Sequence, residues 1–574
     1  SERTDEGMAG ALADLVSGLA ELTGLPDWVA RRDPAGFGAA LARAGASLAA
    51  RPLPVARATR DYWLGSGRAA FASAARPLGV RPPRAAEPVD DRYRDPAYVD
   101  HPWFWLCRQQ HVLLARYLGA LVDAAELDPG SRRKVEFAVA QAVEALAPLN
   151  FPLTNPVVLA RALDTRGLSL LRGARNMARD LVTNHGGPRQ VTPGRFRVGT
   201  DLARTPGTVV YRNRLVELIQ YRPCTQTVYR VPMLFSPPWI NKYYIVDLAP
   251  GRSLVEWAVR HGHTCFALSY RNPDESLRGL GMGDYLRDGP LAALSVIREI
   301  TGEPETNVVA LCLGGTLAGA SAAWLAARDE PGIASLTLMN TLLDFTEPGP
   351  LGLFTDTHTL RGLERITRGP GYLPAEWMKA TFDALRPVEL VWNYVVSGWL
   401  LGEEPVPLDL LAWNADATRM PAAMHREYLR GCYLENRLAA GTMELAGERL
   451  ELGRIGQDAY VVAAESDHIT PWRSVYAGAR LLGGRVRFVL SNAGHTAGVV
   501  NPPSPRSRYR LAEVAELPAD PGRWRELAVE RRASWWQDWS RWVAARAGGR
   551  VRPPATGSRE HPPLTDAPGT YVRT

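Results

Sequence analysis

The sequence predicts an α/β protein whose sheet domain follows a mainly helical N-terminal domain. Three observations carry this expectation. Residues 100–183 place apolar side chains at helical spacings of three and four. Beyond about residue 200, short apolar runs alternate with helical segments. In the middle of that alternation, residues 307–327 (NVVALCLGGTLAGASAAWLAA) carry no charge and change from a β-branched run to a small-residue helix.

Taken in order, residues 1–75 hold Ala/Leu-rich helical stretches, and residues 1–10 are polar and acidic, with no secretory signal. The stretch 76–98 carries five prolines among mixed charges and reads as a connector. DPGSRRKVEFAVAQAVEALA (128–147) opens a helix at Asp128-Pro129. The helical domain is expected to end near Gly186-Gly187, dividing the chain into 1–190 and 191–574, with no internal repeat. Strands are expected at 228–235, 264–270, 308–311, 335–339, 459–464 and 486–490, with a helix around 285–300. Such alternation implies a parallel sheet covered on both faces. Residues 341–440, rich in Trp, Tyr, Leu and Pro, read as a cap inserted into this domain. A late helix bears Trp535, Trp536, Trp539 and Trp542; positions 535, 539 and 542 share one face, expected to dock on a core.

The formal charge is +7, but only Lys134, Lys242 and Lys379 are lysines among 67 basic residues. The arginines are scattered among acids without a clustered stripe, which argues against nucleic acid and leaves room for a small polyanionic ligand. Five cysteines, an odd and sparse number, exclude a disulfide scaffold and point to reduced thiols in a cytoplasmic setting. No Cys/His cluster has zinc spacing, and Gly279–Gly283 (GLGMG) lacks the strand-before, helix-after context of a dinucleotide site, so no metal or cofactor is expected. Residues 307–327 are long enough to span a bilayer. The paired Gly314-Gly315 reads instead as a tight turn between strand and helix, and no transmembrane span is expected.

That junction, Ala310-Leu311-Cys312-Leu313-Gly314-Gly315, has the form of a nucleophile elbow, in which a strained turn projects a side chain above the sheet edge. Ala310 stands where a glycine is usual, while Gly314 is kept. Alone, the hexapeptide reads equally as a buried structural cysteine. Chain order favours chemistry: Asp467 follows the strand near 460 and His495 the strand near 487, giving nucleophile, acid and histidine in the order of an α/β-hydrolase fold. Helix capping by Asp467 and a satisfied loop histidine at 495 are the competing readings. His261 and His263 precede a strand, His468 neighbours Asp467, and His358 and His425 fall in the cap, so none competes well.

At these residues the chain resembles the polyhydroxyalkanoate synthases, and the likeness runs from about Asp90 to Val572. It is carried by RNRLVELIQYRP, PPWINKYYIVDL, SYRNPDES, ALCLGGT, LVWNYVV, WNADATRMP, DHITPW and GHTAGVVNPP. The single-subunit synthases are the most similar, because an N-terminal domain and a full cap are present; Ala310 and Thr496 depart from the pattern. The resemblance implies an α/β-hydrolase fold with Cys312 as nucleophile, Asp467 and His495 as its partners, an (R)-3-hydroxyacyl-CoA substrate and a polyester product. It also implies a homodimer and a cytoplasmic protein associated with polyester granules.

A cysteine nucleophile suits this chemistry, since thiolate attack on a CoA thioester yields another thioester and keeps the acyl group activated. The oxyanion is expected to meet the backbone N–H of Leu313 and, in the loop 237–242 (PPWINK), that of Ile240. Asn241, Trp392 and Trp413 are substrate or cap candidates, and Trp392, Trp399 and Trp413 would line the approach or pack the cap. Lys242 reads first as a solvated surface lysine. Either Asp467 or His495 could activate the hydroxyl that attacks the acyl-cysteine. A cysteine-dependent thioesterase or polyester depolymerase is the alternative enzyme, and a non-catalytic granule-associated protein the alternative outside catalysis. Cys107, Cys224, Cys265 and Cys432 are left as packing thiols.

Overall fold

The computed structural model describes residues 35–76, 91–184 and 186–574. The helical expectation for residues 1–34, and most of the connector expected at 76–98, lie outside the described residues. Two compact units emerge: one comprises Ser1–Thr192 with Ala380–Val406, the other Pro193–Lys379 with Pro407–Thr574.

The first unit is helical: α1 Phe37–Ala49, α2 Pro52–Ala75, α3 Pro102–Ala124, α4 Pro129–Ala145, α5 Pro156–Asp164 and α6 Leu168–Thr183. Proline opens α2 to α5, where its missing N–H costs no helical bond. Asp128 caps α4 by accepting from the N–H groups of Gly130 and Ser131, both at 3.0 Å. Helix α6 inverts the usual pattern, burying Ser169, Gly173, Asn176 and Asp180 while Leu168, Leu171 and Leu181 face out. The buried face meets the 380–406 segment: a Cβ on Gly173 would lie 1.9 Å from the Trp399 carbonyl oxygen. Asn176 donates to Gly398 O at 3.1 Å, and Trp399 Nε1 donates to Asp180 at 3.1 Å. This part of the expected cap therefore groups with the helical unit, because polar bonds and a glycine contact join it to α6.

The second unit is built on an 11-stranded sheet. Its strands are β1 Gly207–Arg212, β2 Val216–Tyr221, β3 Met233–Ser236, β4 Cys265–Tyr270, β5 Thr306–Leu311, β6 Ile333–Met339, β7 Ala459–Ala464, β8 Val486–Ser491, β9 Tyr509–Leu511, β10 Val529–Arg531 and β11 Thr565–Asp566. The spatial order is β10-β9-β8-β7-β6-β5-β3-β4-β2-β1-β11. Neighbours from β4 through β3, β5, β6 and β7 to β8 are parallel, whereas both flanks are antiparallel. The sheet is thus mixed where the sequence predicts a parallel one. The flank at β1–β2 is a hairpin turned by Asn213, whose Oδ1 accepts from Leu215 N and Val216 N, both at 2.8 Å. In β4, β5 and β7 every residue is buried, as expected where both faces of a parallel sheet are covered.

Two predicted elements split. The strand expected over 228–235 breaks at Pro232, which has no N–H for a ladder: Val228–Tyr229 pairs instead with Arg550–Val551 in a separate ribbon. The helix expected around 285–300 becomes α7 Met282–Leu286 and α8 Ala292–Thr301, separated by a kink at Gly289-Pro290. Residues 307–327 divide between β5 and α9, Leu313–Ala327. Among the described residues no helix is long and apolar enough to cross a membrane.

The late helix α10, Trp535–Ala544, buries Trp535, Trp536 and Trp539, while Trp542 is half-buried. Trp536 thus joins the docking face beyond the helical spacing expected.

Candidate active site

Cys312 sits between β5 and α9 with φ 51° and ψ −121°, a conformation L-residues rarely adopt. Its N–H donates to Met339 O on the adjacent strand at 2.8 Å, and its carbonyl accepts from Gly315 N and Thr316 N at 2.9 and 3.1 Å. The strain is held by tight packing. A Cβ on Gly314 would lie 2.3 Å from Ser236 O, and one on Gly315 would lie 1.9 Å from Thr341 Oγ1. Ala310 pairs in register with Ser236 and Leu338 as ordinary buried strand, which is why a methyl group is accommodated where glycine is usual.

Asp467 and His495 come together at the ends of β7 and β8. His495 Nδ1 lies 2.7 Å from Asp467 Oδ2, with the Asp467 side chain 0% and the His495 side chain 11% exposed. The carboxylate is saturated: Oδ1 accepts from Ile469 N and Thr470 N at 2.8 and 2.9 Å, and Oδ2 also accepts from Thr470 Oγ1 at 2.7 Å. Burial works against its charge, but His495 and the Thr470 donors outweigh burial and hold its pKa below the usual carboxylate value. For His495, burial acts to lower the pKa. The charges of Asp467 and Cys312, with hydrogen bonds to both, prevail and push it up to about 10. Cys312, Asp467 and His495 therefore form one constellation.

The histidine loop is held from outside itself by residues the sequence reading did not assign. Asn340, buried at the end of β6 with φ 45°, donates through Nδ2 to His495 O. Trp535 Nε1 and Trp536 Nε1 donate to Gly498 O and Val499 O at 2.8 and 2.9 Å, and Ser534 Oγ donates to Asn501 O. Tryptophans in a docking helix were visible in sequence; that their indole N–H groups would bind this loop was not.

Leu313 opens α9, where its N–H has no carbonyl four residues back within the helix. Ile240 lies in the loop after β3, the strand beside β5, and the Gly314 contact sets the start of α9 against the backbone at 236–237. Asn241 forms a β-bridge with Ala417, and Trp413, buried, donates through Nε1 to Lys242 O at 2.8 Å. Trp392 lies in the helical unit, clustered with Ala145 and Val395. Lys242 is 4% exposed, which corrects the reading of a solvated lysine: its methylenes are buried and its ammonium donates to Thr574 O.

The remaining features resolve simply. Cys265 and Cys432 are buried thiols, but Cys224 is exposed and Cys107 half-buried, so packing describes only the first pair. GLGMG opens the short helix Met282–Leu286, a helix the sequence reading did not place there; Glu427 accepts from Met282 N at 2.8 Å and Asp284 from Gly281 N at 3.0 Å. Those N–H groups are occupied by side chains of this chain. Among the described residues no group of three His, Cys, Asp or Glu could hold a metal ion.

Comparison with known proteins gives the relatives of the chain. Residues 89–258 match the family model for the poly-beta-hydroxybutyrate polymerase (PhaC) N-terminus, and residues 250–502 match the alpha/beta hydrolase fold. The poly(3-hydroxyalkanoate) polymerase of Methylorubrum extorquens is 41% identical over 497 residues, 86% of this chain and 82% of that protein. Subunit PhaC of the Cupriavidus necator polymerase is 41% identical over 470 residues, 81% of this chain and 79% of that one. Polymerase 1 of Ectopseudomonas oleovorans is 37% identical over 490 residues, 85% and 87% of the two chains. A solved hydrolase from Pseudomonas aeruginosa is similar at 18% identity and TM-score 0.32, covering 52% of this chain and 94% of its own. The chain belongs to the poly(3-hydroxyalkanoate) polymerase family.

Proposed function

We propose that this acyltransferase joins (R)-3-hydroxyacyl units from CoA thioesters through an acyl thioester on Cys312. The observation that carries the proposal is the constellation of a strained elbow cysteine with a buried, ion-paired histidine and carboxylate. The Cys312 thiol passes its proton to His495, and Sγ attacks the thioester carbonyl as a thiolate beside the imidazolium. The raised basicity of His495 suits a thiol, whose ordinary pKa is about 8.5. The oxyanion is received by Leu313 N–H and Ile240 N–H. Collapse expels the CoA sulfur, which takes the proton from His495 and leaves as free thiol.

In the second half-reaction the hydroxyl of another hydroxyacyl group attacks the acyl-cysteine. The ester bond forms, the Cys312 sulfur leaves, and the hydroxyl proton passes to it by way of a base. His495 is the better base of the two open in the sequence, because all four bonds to the Asp467 carboxylate come from its own loop and from His495. Asp467 then orients and charges the imidazole. Association with polyester granules, a cytoplasmic location and homodimerisation belong to this proposal as family expectations.

The test uses purified protein and 3-hydroxybutyryl-CoA. CoA release with insoluble polyester is expected; stoichiometric free hydroxyacid without polymer would indicate a thioesterase. Cys312→Ala should abolish CoA release, and survival of activity in that variant would remove Cys312 from the mechanism.

A further inference from the structure

Ile240 sits in a loop whose recorded hydrogen bonds all come from distant parts of the chain. Trp239 O accepts from Thr418 Oγ1 at 2.6 Å, Asn241 bridges to Ala417, and Lys242 O accepts from Trp413 Nε1. The Lys242 ammonium then reaches Thr574 O. Asn272 Nδ2 points at the same oxygen from 3.3 Å, while its Oδ1 accepts from Arg419 N at 2.9 Å. Thr574 O therefore receives donors from two loops, and Asn272 links the second of them to Arg419.

The segment that delivers Thr574 is firmly strapped down. Strand β11 pairs with β1, and the fully buried Glu217 on β2 accepts from Thr570 N, Tyr571 N and Thr570 Oγ1 at 2.9, 3.0 and 2.7 Å. Tyr571 OH donates to Asn213 O at 2.6 Å, and Val572 is in the core. A buried ammonium left without its acceptor is costly, so the Lys242–Thr574 bond ties loop and strap together strongly.

We infer that Lys242 is a positioning residue that couples the strap 565–574 to the oxyanion loop, so that docking of the strap sets the position of Ile240 N–H. This rests on the assignment of Ile240 as oxyanion donor. An oxyanion donor acts only if held where the charge develops, and a loose loop forfeits it.

Two rates on the full chain test the coupling: first-turnover CoA release from 3-hydroxybutyryl-CoA, and alkylation of Cys312 by iodoacetamide, followed by mass spectrometry of its peptide. In alkylation Sγ displaces iodide at a saturated carbon and no oxyanion forms, so that rate reports the Cys312–His495 pair alone. Lys242→Met should slow CoA release about 10- to 100-fold, with alkylation within about twofold of the parent. Lys242→Arg should restore part of the loss. Glu217→Gln, which loosens the strap away from the site, should slow CoA release in the parent but add little to Lys242→Met. Unchanged CoA release in Lys242→Met, a parallel fall in alkylation, or multiplying effects of the two substitutions would each overturn the coupling. If Lys242→Met does not fold, Lys242→Arg and Glu217→Gln carry the same comparison. Ile240→Pro, which deletes the N–H, separates the underlying assignment: parent-like CoA release there removes Ile240 as donor, whereas a loss there with an unaffected Lys242→Met removes only the coupling.

Discussion

In the proposed mechanism the loops bearing Asp467 and Ile240 serve the same nucleophile, yet they are held in opposite ways. Asp467 is fixed by Ile469 and Thr470, two and three residues along the chain, and by the His495 side chain. The Ile240 loop is fixed by Trp413, Ala417, Thr418 and Thr574, none of them a sequence neighbour. A carboxylate can organise its own turn because its oxygens accept from nearby N–H groups. A loop that must present a bare N–H has no such local device, and the fold has to supply the rigidity.

The harshest way to break the first loop is Asp467→Asn, which keeps the shape but removes the charge and the preferred imidazole tautomer. CoA release should fall by roughly 10³- to 10⁴-fold, and Cys312 alkylation with it. A matched pair sharpens the comparison. Thr470→Val removes a donor to the carboxylate and should lower alkylation and CoA release together. Thr418→Val frees Trp239 O and should lower CoA release about tenfold, leaving alkylation near the parent rate. Equal responses of the two rates in both variants would erase the distinction between the loops.

Asn340→Leu tests the outer support of the histidine loop. Loss of its bond to His495 O should cost about 1–3 kcal/mol in urea unfolding and slow both rates several-fold. The smallest effect concerns pH. Because the folded pKa of His495 is raised to about 10, its charged form favours the native state; that stabilisation is complete below the unfolded value of 6.5 and is lost as pH rises toward 10. The stability deficit of His495→Gln should therefore be largest near pH 6 and shrink above pH 8. A deficit independent of pH would show that the ion pair contributes nothing to stability.

The same local and distant division explains what could be read in advance. The elbow, the DHITPW turn and the strand ends carrying Asp467 and His495 were legible, because strands, glycine turns and Asx-type caps are written in neighbouring residues. The β1–β2 hairpin was not, although Asn213 is the turn residue that makes it. Its sequence, RNRLVELIQYRP, mixes polar residues into a strand that is buried throughout, with Glu217 met by Arg212 across the hairpin and by the distant strap. Trp392 and Trp413 looked alike in sequence, as aromatic residues of one apolar region. One packs in the helical unit and the other donates to Lys242 O.

By itself, the sequence determined an α/β protein, the position of its elbow, and the chain order of the candidates Cys312, Asp467 and His495. Each of these depends on periodicity, on glycine at a close approach, or on bonds spanning a few residues. Tertiary structure alone decided that the flanking strands run antiparallel, that Ala380–Val406 packs with the helical unit, and that Asn340 and two tryptophans hold the histidine loop. It also decided that Lys242 is buried against Thr574. Those outcomes join residues far apart in the chain, and the pairing of a buried donor with its acceptor is set only when the whole core closes around both.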